Sequence, residues 1–405
     1  MSMRIPIRYI VAQAPWALIA TLSAGLANYV IVIILTKFYD AYVVGQFRLL
    51  LSVVGLLGLF SFLETGNILL KAVVENKGGV AKPLFVNRVK YALIGSAVGL
   101  VLAFYFYRDG NDIYIPLAFS ALVVPVFFPT AMFEFINHAL KNFRGNAIID
   151  LTRFASVTLL FAAGGFFGVY PPALLSTYFV VLAGFNAFFY ARIVEKLKPF
   201  ATRAPKEIKD SVQLSLSSVF VNILEHADKL LISYVFGLKA LGLYAVGVST
   251  GNLVLFMAKP ALTVLNPLLV EERFSGRMLA YIFVGTTIAG VIASVALKPI
   301  FAVVFGAEYL EAYDLSKVII WGLGIFCVSV LVYNTSVYNK DSPVRVPVLN
   351  NFISPVIVLV YLVLAVLLGG EYALLLCAAS YPLRQLVNVV ILAIISGRTS
   401  AHAHV

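Results

Sequence analysis

The residues able to do chemistry in this sequence are ionisable side chains set inside apolar runs. The densest group is NILEHADKLLISYVFG (222–237), which carries Glu225, His226, Asp228 and Lys229. Glu225 and Lys229 are four residues apart and Asp228 is three from Glu225, so on a helix all three share one broad stripe. Two chemistries are open to such a stripe. It is a salt-bridged cluster that neutralises itself, or the polar wall of a water-filled cavity in which Glu225, His226 or Asp228 exchanges a proton. Elsewhere Arg48 and Glu64 share an apolar run, Lys259 directly precedes Pro260 in another, and Arg384 sits in a third. An ionisable group at the middle of a membrane costs about 2.5–3.5 kcal/mol on insertion scales, so each is a candidate for function.

Arg48, Lys259 and Arg384 fall at different depths, as an anionic solute crossing a membrane would need. Lys229 is a fourth cation for the same cavity. Glu64 falls at a depth similar to Lys259 in the opposite half, and the two could close an inner gate as a pair. Against each stands the plainer reading of a snorkelling or locally paired residue. Asp150 with Arg153, three apart, reads as such a local pair, and so does Asp314 with Lys317.

These groups need elements to hold them, and composition says which kind. Of 405 residues, 61% are hydrophobic and 12% charged, and the mean hydropathy is +0.96. A soluble domain is about half apolar and about a quarter charged. The imbalance excludes a water-soluble domain, a disordered tail and a nucleic-acid binder. A spanning helix takes about 20 apolar residues. Hydropathy then predicts twelve spans, near 12–36, 44–70, 89–107, 114–136, 147–168, 172–192, 211–236, 240–269, 278–298, 314–337, 347–369 and 372–396. The run after Arg4 and Arg8 is too long for a signal-peptide core and is read as the first span.

The net charge of +11 is distributed by side. One set of connectors holds Lys71, Lys77, Lys82, Arg88 and Lys90, then Lys141 and Arg144, the run from Arg192 to Lys209, and Arg273 and Arg277. It also takes in both ends of the chain. The alternate set holds only Lys37, Arg108, Lys239 and Lys298. Cytoplasmic loops of membrane proteins are enriched in Lys and Arg. The expectation is a multi-pass protein of the cell (cytoplasmic or inner) membrane with both termini cytoplasmic and an even number of spans.

The longest basic connector, RIVEKLKPFATRAPKEIKD (192–210), separates six spans from six. The expected organisation is a first lobe over 1–195, a linker over 196–210, a second lobe over 211–396 and a tail over 397–405. After the first span of each lobe the sequence repeats in type. TKFYDAYVVGQFRLLLSV (36–53) pairs with ISYVFGLKALGLYAVGVS (232–249), setting Gly45 against Gly242 and Phe47 against Tyr244. Lobes of six spans run parallel, related by an axis along the membrane normal. In this register Asn28 corresponds to Glu225, a polar residue at both positions and a further cavity candidate.

Several chemistries lack their residues. No Gly-Lys pair occurs, so there is no phosphate-cradling P-loop. No His-x-x-x-His pair or cysteine cluster offers a metal site, and no cofactor is expected. Cys327 and Cys377 sit singly in apolar runs, and His402 and His404 end the tail. An intramembrane glycan polymerase would need a sizeable outer loop, whereas the longest outer connector is 301–315; this argues against an enzyme.

Four places resemble a known family. They are VVGQFRLLLSVVGLLGLFSFLETG (43–66), HALKNFRGNAIIDLTRFASVTLLF (138–161), ADKLLISYVFGLKALGLYAVGVST (227–250) and FGAEYLEAYDL (305–315). The last, an outer turn closed by Gly306 and Tyr309, is the most specific. Together they resemble the Wzx-type polysaccharide transporters, lipid-linked oligosaccharide flippases of the multidrug/oligosaccharidyl-lipid/polysaccharide flippase superfamily. The resemblance implies an all-α integral membrane fold of twelve transmembrane helices in two pseudo-symmetric six-helix lobes, V-shaped about a central cavity. It implies a polyprenyl-pyrophosphate-linked glycan as substrate, carried from the cytoplasmic to the outer leaflet by alternating access, with membrane lipids and polysaccharide-assembly proteins as neighbours. Arg48, Lys259 and Arg384 would then hold the head group. The alternatives are a cation-coupled multidrug exporter of the same superfamily, or a non-transporting scaffold of a glycan-assembly complex. Exporters of that branch characteristically carry an acidic residue in the first span, and 12–36 has none.

Overall fold

In the computed structural model, every element among the described residues is helical. The backbone is described for residues 7–197, 199, 201, 203–271, 275–338 and 345–402; within these, the side chains of 7–14, 17, 21, 259–271, 337–338, 345–348 and 396–402 lie outside the described residues. The chain divides into two compact units, Met1–Tyr39 with Leu49–Val219, and Asp40–Arg48 with Phe220–Val405.

The first unit is built from α1 (Ile7–Phe38), the later part of α2 (Ala41–Leu57), α3 (Thr65–Val74), α4 (Ala81–Arg108), α5 (Tyr114–Thr130), α6 (Phe133–Ala139), α7 (Phe143–Phe166), α8 (Pro171–Val194) and α9 (Pro205–Ser217). Helix α4 packs on α5, α5 on α8, α1 on α7, and α3 on both α6 and α9. Local signals set the starts. Asn142 caps α7 by accepting from Gly145 N at 3.1 Å, and Pro171 and Pro172 open α8, where a missing N–H costs nothing. Leu69, Leu84, Phe133 and Ile136 fill one core of this unit.

Residues 196–210, expected as a linker, and the start of the expected second lobe at 211 belong instead to the first unit. Ser211 and Ser215, one turn apart on α9, explain it. The Ser211 hydroxyl lies 3.0 Å from that of Thr65, and Ser215 Oγ accepts from Glu64 N at 3.2 Å.

The second unit comprises residues 40–48, α10 (Val219–Glu271), α11 (Gly276–Phe305), α12 (Leu310–Trp321), α13 (Leu323–Tyr338), α14 (Arg345–Leu368) and α15 (Ala373–His402). Helix α14 packs on α15, while α13 contacts both α11 and α15. Helix α10 is not one rod, because Gly237 inside it has φ 83° and ψ 176°. That region of backbone space is open to glycine alone. Tyr244 donates to Asp228 Oδ2 at 2.8 Å, yet sixteen residues of straight helix would separate them by about 24 Å. The chain therefore reverses at Gly237. The same geometry recurs at Gly306, with φ 92° and ψ 171°, which ends α11 before the buried Tyr309.

By length and composition the described residues hold ten span-length apolar helices, or eleven if the pair Ala307–Trp321 and Leu323–Ser336, bent by 41°, is one span. Hydropathy predicts twelve. The difference lies at Gly237: the stretch Val219–Ala258 is 40 residues long, about twice what a bilayer takes, and it covers two predicted spans joined by the reversal. The predicted span at 314–337 is the bent pair, broken at Gly322.

The repeat seen in sequence meets itself in space. A Cβ on Gly45 would collide with the carbonyl oxygen of Leu238, and one on Gly242 with that of Ala41. Ala41 and Leu238 are themselves partners in the repeat register, so the contact is reciprocal, as between copies related by a two-fold. Small residues four apart let helices approach to backbone contact. Gly242→Val is expected to destabilise the detergent-solubilised protein by at least about 1–3 kcal/mol, read as a lower thermal midpoint. Gly285→Ala, with nothing within 4 Å of the added methyl, should leave the midpoint unchanged; equal midpoints for both would mean the crossing is not close.

Candidate functional site

A cavity of about 330 Å³ in the second unit gathers much of the chemistry expected from sequence. Arg48 reaches it from the α2 segment that the glycine crossing holds against α10. Glu225, Asp228 and Lys229 line it from the first arm of α10, and Asn252 from the second. Ser380, Tyr381, Arg384 and Gln385 complete it from α15. Phe326 of α13 and Val358 and Leu362 of α14 add apolar wall; the crossing and the reversal fix α2 and α10, which bring four of its five charges.

At its base sits a buried ion pair. Asp228 and Lys229 are 2% and 7% exposed, and Lys229 Nζ lies 2.8 Å from Asp228 Oδ1. The same ammonium donates to the Glu225 carbonyl at 2.6 Å and to the Tyr381 hydroxyl at 3.1 Å. Tyr381 in turn donates to Asp228 Oδ2 at 3.3 Å, beside Tyr244 at 2.8 Å. Neither charge is left bare, and the pair sums to zero. The Glu225 carboxylate is not the partner that four-residue spacing predicts, since Lys229 uses the Glu225 backbone instead and the Glu225 residue itself is exposed. Asp228 and Lys229 form the self-neutralising cluster, and Glu225 faces the cavity.

The remaining cations differ. Arg48 and Arg384 are half-buried, and among the described residues neither guanidinium has an ion-pair partner. Three cations and two carboxylates line the cavity, Arg48, Lys229 and Arg384 against Glu225 and Asp228. Its net charge is one positive unit, carried by two unpaired guanidinium groups opposed by one carboxylate. Such groups present several donors in a planar fork, suited to phosphate or carboxylate oxygens. Among the described residues no group of three or more His, Cys, Asp or Glu converges as a metal site would.

Other sequence candidates fall elsewhere. His226 is half-buried on α10 and does not line the cavity. Asn28, in the first unit, accepts from Tyr178 at 2.8 Å and joins α1 to α8. Glu64 is in the first unit too, at the start of α3, where it accepts from Asn67 at 2.6 Å. The side chain of Lys259 lies outside the described residues. Asp150 and Arg153 do pair, at 2.9 Å, but in a wider network: Arg153 also donates to Glu134 and, at 2.8 Å, to Asn186. Arg88, grouped with a basic connector from sequence, is buried in α4 and donates to Ser61 O at 2.8 Å. The sequence reading missed Asn252, Ser380, Tyr381 and Gln385; of these, Tyr381 lies three residues before Arg384, on the same helix face.

Helices of this number and apolarity make the chain a multi-pass membrane protein. The sequence profile of the polysaccharide biosynthesis protein family matches residues 10–272, and the chain belongs to that family. No curated protein matches it in sequence. Among solved structures it is similar to the lipid II flippase MurJ in an inward closed conformation, with TM-score 0.67 and 12% identity over 94% of this chain and 87% of the other. It is similar to a multidrug resistance MATE family transporter of the MOP superfamily in an inward-facing conformation, with TM-score 0.67, 12% identity, and 93% and 95% coverage. A mutant of the Vibrio cholerae MATE transporter VcmN aligns with TM-score 0.62 and 11% identity over 96% of each chain. At these identities the likeness defines the fold.

Removing one partner of a buried ion pair leaves the other uncompensated, at about 3–5 kcal/mol, whereas removing both can be far milder. Asp228→Asn and Lys229→Gln should each lower thermal stability and membrane abundance, and the double variant should lose less than the two singles added together. Additive losses would show that the two charges do not act as a pair.

Proposed function

We propose that this protein is a flippase that moves a polyprenyl-pyrophosphate-linked oligosaccharide from the cytoplasmic to the outer leaflet for polysaccharide biosynthesis. The observation that carries the reading is the pair of guanidinium groups, Arg48 and Arg384, without an ion-pair partner among the described residues, in one cavity of a polysaccharide biosynthesis family protein. A glycan and its pyrophosphate cannot cross hydrocarbon unaided, because unpaired polar groups there are costly. Arg48 and Arg384 hold the pyrophosphate while the isoprenoid chain stays in lipid. Asn252, Ser380 and Gln385 supply neutral donors and acceptors for sugar hydroxyls. The buried Asp228–Lys229 pair shapes the wall without adding net charge. The fold shared with the lipid II flippase MurJ supports the substrate class, and its inward closed state supports alternating access. The protein sits in the cytoplasmic membrane with both ends inside, as the charge bias of its connectors implies.

The second reading, a cation-coupled exporter, draws on the equal fold similarity to a multidrug MATE transporter and on Glu225 as a cavity carboxylate. One experiment separates the two. In cells lacking the gene, polyprenyl-pyrophosphate-linked glycans are quantified by mass spectrometry, with leaflet position read by an impermeant glycosidase. The flippase reading expects a repeat unit to accumulate on the cytoplasmic leaflet. An unchanged pool, with dye retention instead, would replace it by the exporter. A charge-assisted hydrogen bond contributes about 1.5–3 kcal/mol, so Arg48→Gln and Arg384→Gln should each slow flipping by about tenfold to a hundredfold at unchanged abundance. Flipping that survives both together would remove these residues from the site.

A further inference from the structure

A second cavity, of about 630 Å³, lies wholly within the first unit, between α4 and the segment leading into α9. Helix α4 contributes Lys82, Val86 and Lys90, spaced four apart on a single stripe, with Pro83 and Asn87 beside them. Eight residues of helix set the two lysine positions about 12 Å apart along the axis. The facing wall brings Arg203, with Ala201, Pro205 and Ile208. This wall is held by a backbone bond, Ala201 N donating to Gly79 O at 2.9 Å.

Three cations line the cavity and no carboxylate does. Among the described residues none of the three has an ion-pair partner. Two further donors are unspent. Asn87 Nδ2 is buried without an acceptor, a gap that a buried amide ordinarily fills. Helix α9 begins at the cavity with Pro205 in its first turn and no side-chain cap, so first-turn N–H groups are open to an anion; the first-turn carboxylate, Glu207, does not line the cavity. The rest of the wall is apolar, from Pro83, Val86, Ala201 and Ile208. A soluble phosphate has no use for such a wall, but a lipid does. Lys82 stands near the start of the Gly78–Arg108 span, and the ends of a spanning helix meet the head-group region. Basic pockets between spanning helices on the cytoplasmic side are suited to anionic lipid head groups.

We propose that this cavity is a binding site for the phosphate of an anionic phospholipid from the leaflet on the basic side of the protein. Lys82, Lys90, Arg203 and Asn87 take the phosphate, and Val86 and Ile208 flank the glycerol and the first part of an acyl chain. The site is independent of the cavity in the second unit, so transport and lipid binding can fail separately.

The test uses the full chain reconstituted in nanodiscs of phosphatidylcholine with a minor fraction of phosphatidylglycerol, released into native mass spectrometry. The expectation is one saturable phosphatidylglycerol per chain, kept in preference to phosphatidylcholine. Each cation near the surface is worth about fivefold in affinity, so Lys82→Gln, Lys90→Gln and Arg203→Gln together should weaken binding by about a hundredfold. Neutralising Lys196, Lys206 and Lys209, which share the basic connector but not the cavity, should keep the adduct. Val86→Trp fills the cavity without changing charge and should also lose the lipid; Val86 is 57% exposed, so this variant is expected to fold and to elute as a single species. Equal loss in both triple variants would overturn the proposal in favour of general surface attraction. No preference over phosphatidylcholine would overturn it as well, and so would displacement by an equal concentration of inorganic phosphate.

Discussion

A charge held at the depth of hydrocarbon has to be paired or has to face water, and this one constraint sorts the ionisable groups described into a paired set and a cavity-lining set. Asp228 and Lys229 meet it completely. Each touches the other, and the two tyrosines and a helix carbonyl around them take the remaining donors and acceptors. The network of Glu134, Asp150, Arg153 and Asn186 pairs its charges in the first unit, although Arg153 Nε is buried without an acceptor. Arg48, Arg384 and Glu225 have no ion-pair partner among the described residues and line a cavity instead. A charge that the protein declines to pair internally is held at a standing cost, and a ligand or water must complete its surroundings.

Backbone constraints decide which charges reach that cavity. The reversal at Gly237 folds α10 back on itself, so that Tyr244 on the second arm stands over Asp228 on the first. The crossing of Gly45 and Gly242 brings the start of α2 into the second unit, and Arg48 lies three residues beyond Gly45, on the next turn. Without the crossing, the arginine would have no place beside α15. A pair of hydrogen atoms in place of side chains thus positions a guanidinium group. The repeat was written in sequence as a glycine followed two residues on by an aromatic; its structural meaning is a self-complementary helix contact with Phe47 and Tyr244 both fully buried beside it.

Most of the helical architecture was legible because hydropathy and period report it directly, span by span. What escaped depended on contacts far apart in sequence. Asn28 and Glu225 share a repeat register, yet Asn28 is tied up by Tyr178, 150 residues away. Glu64 and Lys259 were matched by depth, a quantity that says nothing of which way a side chain points; Glu64 turns to Asn67 on its own helix. The linker at 196–210 reads as polar and basic, which marks an exposed segment, but hydroxyls at Ser211 and Ser215 draw its following helix onto α3. Tyr381 was the avoidable miss, since helical spacing around Arg384 already places it in the site. The bend at Gly322 carried no distinct signal in an apolar run.

For the proposed flippase, the mixed sign of the cavity bears on release. A site that holds an anionic head group with every cation the chain has available would bind it strongly in one leaflet and fail to release it in the other. Passage through a membrane protein requires binding favourable enough to enter and weak enough to leave. Here Lys229 is neutralised within the wall and Glu225 faces the same space as the arginines, so the net attraction is one unit of charge rather than three. The buried pair therefore does two things. It satisfies an ammonium that would otherwise need an external anion, and by doing so it lowers the net positive charge of the cavity.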